Sequence, residues 1–154
     1  GARMLVDRLR SRGLTCAAVS SASAEDIQDL LRAAGVADLM DLVVSADDAE
    51  KSKPAPDLVA VALDRIGVAP DEAIMIGDTP YDIEAGTGAG VGVIALRCGG
   101  GFSDRDLAGA IAIYSDPAEL SARLDSSPLA LDRESMNDLT LPRMGSRRAA
   151  MRGI

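Results

Sequence analysis

Apolar and polar positions along this chain repeat at two periods, and the alternation between them predicts a run of short elements. Residues 3–12 set Leu5, Val6 and Leu9 among charges, which predicts a helix, and Gly13 stands where a glycine would end it. Leu14 to Val19 is a short apolar run that reads as a buried strand, closed by Ser20-Ser21-Ala22-Ser23. Ser23 is placed to cap a second helix, with Asp26 at its third position. That helix shows Ile27, Leu30, Leu31 and Ala34 on one face and stops at Gly35; Leu42 to Val44 predicts another strand. Pro54 then holds Lys53 extended, and Pro56 suits the first turn of a helix reaching Ile66, with Gly67 beyond it. Ala73 to Ile76 and Val91 to Leu96 predict strands, with a helix opened by Pro80 between them. Ser103 to Gly109 reads as a short helix, Ile111 to Tyr114 as a strand and Asp116 to Leu124 as a last helix.

Strands alternating with helices in this way predict an α/β fold: a doubly wound, mostly parallel, Rossmann-like sheet. The pattern stops near Asp125. The segment 125–154 carries five Arg against four acids and is rich in loop residues, so it reads as a poorly ordered tail behind a domain spanning 1–124.

Composition narrows the chemistry. Hydrophobic residues make up 47% of the chain and aromatics 2%, so the core is aliphatic, as in sheets covered on both faces. The net charge of −8 argues against binding nucleic acid or an anionic membrane through the overall field. With no apolar run of about 18 residues and no signal peptide, a cytoplasmic location is expected. Cys16 and Cys98 adjoin apolar runs and read as small core residues. The absence of histidine excludes Ser-His-Asp and Cys-His nucleophiles and His-ligated zinc. Carboxylate, Lys and hydroxyl chemistry remains, with a hard, oxygen-liking metal.

Three places could carry it. In Ile74-Met75-Ile76-Gly77-Asp78-Thr79-Pro80-Tyr81-Asp82, a strand ends in Gly-Asp and a second Asp follows on the first helical turn. Two carboxylates at a strand's C-terminal end suit a divalent cation and a phosphate. Thr79-Pro80-Tyr81-Asp82 is equally a capping box, so Asp82 stands between two readings. Ser20, Ser21 and Ala22 lie where a hydroxyl and helix-opening N–H groups could cradle a phosphate. Lys53, extended before Pro54, could present an ammonium to a phosphate or a carboxylate. The glycines at 86, 88, 90 and 92 end a helix instead of opening one, against a dinucleotide loop.

Taken in order, the strand–Ser, Ser-Lys-Pro-Ala-Pro-Asp and Gly-Asp-Thr-Pro-Tyr-Asp-Ile-Glu-Ala-Gly segments resemble the haloacid dehalogenase-like (HAD) hydrolase superfamily, near phosphoglycolate phosphatase and β-phosphoglucomutase. The resemblance implies a Mg²⁺-dependent phosphatase of a small phosphomonoester. Ser21, or else Ser20, would bind the transferring phosphoryl oxygens, and Lys53 would neutralise charge. Asp78 would ligate Mg²⁺, with Asp82 holding the ion directly or through water.

One part of that pattern is missing. The family's nucleophile is the first Asp of Asp-x-Asp-x-Thr, on a strand that lies mid-sheet between those carrying Ser21 and Asp78. The only Asp-x-Asp here is Asp104-Arg105-Asp106, which follows Gly-Gly-Gly-Phe-Ser and has Ala108 in the Thr position. The acids of 125–154 do not repeat the motif, and the family's helical cap is absent as well. The expectation is a truncated HAD core that is inactive alone, or a non-catalytic remnant serving as a binding or interaction module. Without its first strand, the sheet would hold two strand edges facing a gap, unless another segment fills it. Substrate identity and oligomeric state are not legible.

Overall fold

The computed structural model describes residues 1–130 and 149–153. Its elements are α1 (Ala2–Ser11), β1 (Thr15–Val19), α2 (Ala24–Ala33), β2 (Leu42–Val44), α3 (Asp57–Ile66), β3 (Ala73–Gly77), α4 (Pro80–Gly88), β4 (Gly92–Leu96), β5 (Ala112–Tyr114), α5 (Pro117–Ala122) and β6 (Ala149–Gly153). The strands form one sheet in the order β2-β1-β6-β3-β4-β5, and every pairing is parallel. This is the doubly wound α/β fold that the alternation of elements predicts.

Helices cover both faces of the sheet. Leu5, Val6 and Leu9 of α1, Ile27 and Leu31 of α2 and Leu120 of α5 pack on one side with Cys16, Ala18, Ile76 and Ile94. Leu58, Val59 and Ala62 of α3 and Ile83 and Ala85 of α4 pack on the other with Ala17, Val19, Met75 and Val93. Successive strand residues therefore serve opposite faces, as the pleat requires. With both faces buried, the strands read as continuous apolar runs.

The helix starts follow local chemistry. The Ser23 hydroxyl accepts the Asp26 N–H at 3.2 Å, as its spacing predicts. Asp116 caps α5 by accepting the Glu119 N–H at 2.8 Å.

Leu30 and Ala34, read on one face with Ile27 and Leu31, are exposed, so the buried stripe of α2 is narrower than the sequence pattern. Three further readings change. Ser103–Gly109 is a run of turns and not a helix. Three glycines precede it, Ser103 and Asp106 close a local turn at 2.7 Å, and of its residues Leu107 alone is buried in the core. Cys98 is exposed, whereas Cys16 is buried. Burial first, and the nearby Asp41 charge second, push the Cys16 thiol up to about 11. In native protein at about pH 8, Ellman's reagent should therefore titrate Cys98 alone, with the second thiol appearing on unfolding in urea. Two equally fast thiols in the native state would contradict this packing.

The third change concerns the tail. Leu129 is buried, and residues 149–153 form β6, in the middle of the sheet. Thr15–Val19 pair along its length on one side and Ala73–Ile76 on the other. The place between β1 and β3 is thus filled by a segment from far along the chain. The expected disorder of 131–148 and 154 lies outside the described residues. Nothing local in Ala-Ala-Met-Arg-Gly announces a strand, since Ala and Gly are poor strand formers. The slot supplies what the propensity does not, because two neighbouring strands each present a row of backbone donors and acceptors.

Candidate functional site

The order of the strands reverses between β1 and β3. β1 leads outward to β2, and β3 leads the other way to β4 and β5. In open parallel sheets this switch point opens a crevice beyond the carboxyl ends of the strands. Ser20 and Ser21 follow β1 there, and Asp78 follows β3. One strand separates them, so their backbones stand about 10 Å apart.

Asp82 is buried at this rim. Its side chain is 2% exposed, and that of Lys53 is 7% exposed. Lys53 Nζ donates to Asp82 Oδ1 at 2.7 Å. Asp82 Oδ2 accepts from the Thr79 hydroxyl at 2.8 Å, the Thr79 N–H at 3.1 Å and the Asp78 N–H at 3.2 Å. The Thr79 hydroxyl in turn accepts the Asp82 N–H at 3.2 Å, which completes the capping box. The carboxylate therefore caps α4, neutralises a buried ammonium and tethers the Asp78 backbone. Gly77 makes room for it: a methyl group on Gly77 would fall 2.7 Å from Asp82 Cγ and 2.9 Å from its Oδ2. The sequence names Asp82 and Thr79, but not the role of Gly77.

Lys53 reaches this position from the loop before α3, through a cis peptide to Pro54. Its ammonium joins the element after β2 to the start of α4, so two strand connections meet at one charge pair.

On the β1 side the serines separate. Ser20 is buried; its N–H donates to Val44 O at 2.9 Å and its hydroxyl accepts the Ala22 N–H at 3.1 Å. Ser20 thus shapes the turn, and the Ala22 N–H is taken up by it. The Ala24 N–H, at the start of α2, donates to Asp47 Oδ2 at 3.0 Å. Ser21, the next residue, is exposed.

Among the described residues, no three His, Cys, Asp or Glu side chains converge as a metal cage. Mg²⁺ does not need one, since it takes one or two protein carboxylates and completes its shell with water and phosphate. Asp78 is half-buried at the strand end. Asp82 has its two oxygens engaged by four donors. The Asp-x-Asp at 104–106 is used elsewhere. Arg97 donates to both Asp104 oxygens, at 2.6 and 2.9 Å, and these bonds hold the Asp104 carboxyl below the usual range.

The family model for haloacid dehalogenase-like hydrolases matches residues 1–96. The chain belongs to that family. It is 30% identical over 131 residues to phosphoglycolate phosphatase of Escherichia coli, covering 84% of this chain and 52% of the relative. A Bacteroides vulgatus protein assigned as a β-phosphoglucomutase superposes with a TM-score of 0.75 at 26% identity, covering 86% of this chain and 54% of the other. The phosphate complex of CbbY from Rhodobacter sphaeroides superposes at 0.67 with 27% identity, covering 75% and 52%. The chain therefore lies in the phosphoglycolate phosphatase and β-phosphoglucomutase-like branch of the HAD hydrolases, and it spans about half the length of these relatives. No described helix is long and apolar enough to cross a membrane.

Proposed function

We propose that this chain is the phosphate- and metal-holding part of a Mg²⁺-dependent HAD-like phosphatase of a small phosphomonoester, and that it turns over nothing by itself. The buried Lys53–Asp82 pair beside Asp78 carries the reading, because it fixes a cation at the switch-point rim. Ser21 would hydrogen-bond phosphoryl oxygens, Lys53 would offset their charge and Asp78 would hold the metal. Bound Mg²⁺ would neutralise charge on the phosphoryl group. Asp82 acts here through Lys53 and the helix cap.

The central strand favours inactivity. Ala-Ala-Met-Arg-Gly fills the slot between Ser21 and Asp78 and brings no carboxylate to attack phosphorus. The same observation supports the second reading, a non-catalytic module that only holds phosphate or Mg²⁺.

Amide NMR with inorganic phosphate and Mg²⁺ tests the site. Shifts should centre on Ser21, Lys53 and Asp78 and vanish in Lys53→Ala. p-Nitrophenyl phosphate should not be hydrolysed above background. Turnover that Asp78→Ala abolishes would overturn the inactive reading, and phosphate that leaves all three amides unmoved would overturn the site. The coding sequence on both sides of the chain separates the two readings: an apolar strand ending in Asp-x-Asp-x-Thr supports the phosphatase.

A further inference from the structure

We propose that Gly99 is a positioning residue for Asp78: the side chain that Gly99 lacks is the space in which the carboxylate stands. β4 ends at Leu96, next to β3 in the sheet, and the chain turns over the rim as Arg97–Gly99 followed by Gly100 and Gly101. A methyl group on Gly99 would fall 2.5 Å from Asp78 Cγ and 2.6 Å from its Cβ. The Cβ does not move with rotation about χ1, so no rotamer of Asp78 relieves that overlap. Either the β3–α4 turn or the glycine loop must shift.

The loop is tied at both ends. The bidentate Arg97–Asp104 pair ties its start to its far limb, and Leu107, fully buried, anchors its end. Its other two glycines have a different reason to be glycine. Gly100 and Gly101 adopt φ of 78° and 85° with nothing within 4 Å of an added methyl group. Gly99 does not share that positive φ. Its backbone therefore tolerates alanine, and the Asp78 side chain is what excludes it.

This inference rests on the reading of Asp78 as the metal ligand, and the experiment separates the two. Mn²⁺, a paramagnetic stand-in for Mg²⁺, should broaden the amides around Gly77–Thr79 in the wild-type chain. Gly99→Ala should raise the Mn²⁺ concentration needed by about tenfold or more, in the range for groups that orient a metal ligand. Gly100→Ala, which strains the same loop without meeting Asp78, should stay within about twofold of wild type. Both variants should keep a single cooperative urea transition, which separates lost positioning from unfolding. Equal Mn²⁺ dependence in Gly99→Ala and wild type would overturn the proposal. If wild type itself shows no broadening near Asp78, the metal reading fails, and a crystal structure of Gly99→Ala then decides. An Asp78 Cβ displaced relative to β4 supports the positioning role; an unmoved one overturns it.

Discussion

Met151→Pro is expected to cost the chain about 1–3 kcal/mol for the ladder partner it leaves unsatisfied, with the ring's steric clash added, against the roughly 5–15 kcal/mol that holds a domain together. Met151 pairs with Ala17 on one side and with Met75 on the other, so its backbone belongs to both central ladders. Proline removes the N–H and cannot sit within a central strand. Deleting residues 149–154 should be worse. It would strip β1 and β3 of a shared partner and leave two facing rows of backbone groups, each orphan costing about 1–3 kcal/mol while it stays buried. The expected outcome is loss of the cooperative urea transition, with aggregation through the bared edges. Native-state hydrogen exchange reads the same thing: the amides of Ala17, Ala18 and Met75 should be among the slowest and should lose protection in Met151→Pro. An unchanged urea midpoint in Met151→Pro would mean that β6 does not hold the sheet together.

Asp82→Ala is expected to be about as damaging, and Asp78→Ala far less. Removing Asp82 leaves the Lys53 ammonium buried without its 2.7 Å partner, which costs about 3–5 kcal/mol for a buried pair. It also unpairs the Thr79 and Asp78 N–H groups and removes half of the α4 cap. Asp78 is half-buried, and its loss should lower the thermal midpoint by a few degrees at most while removing Mn²⁺ broadening. Lys53→Met combined with Asp82→Leu should recover part of the Asp82→Ala loss, since an apolar pair leaves no buried charge. The three variants together separate the two roles that spacing alone gives to Asp82. If Asp82→Ala proved stable and only metal binding fell, the cap assignment would be wrong.

Much of this protein was legible locally. Helix α3, predicted to end at Ile66 before Gly67, does so. Ser23 caps α2 and Thr79 caps α4 because side-chain oxygen and backbone N–H lie within one turn of each other. The residues at the rim, Ser21, Lys53 and Asp78, were legible because each stands at a strand-to-helix junction, where a doubly wound sheet gathers its ligands. Three features were not. Asp82 meets the same spacing whether it caps a helix or holds a metal, and its bond to Lys53, 29 residues upstream, is not legible in that spacing. The turns at 103–109 carry a helical pattern with a single anchor in the core. The strand at 149–153 carries no strand pattern at all.

The sequence by itself determined the class of fold, the order of the elements from α1 to β4 apart from small boundary shifts, and which side chains stand at strand ends. These are matters of periodicity and capping, settled within a few residues. The tertiary structure alone decided that Ala-Ala-Met-Arg-Gly is the central strand, because its stabilisation comes from two ladders whose partners lie more than 70 residues away. It also brought Lys53 to Asp82, because a contact between residues 29 apart is set by packing and not by local spacing.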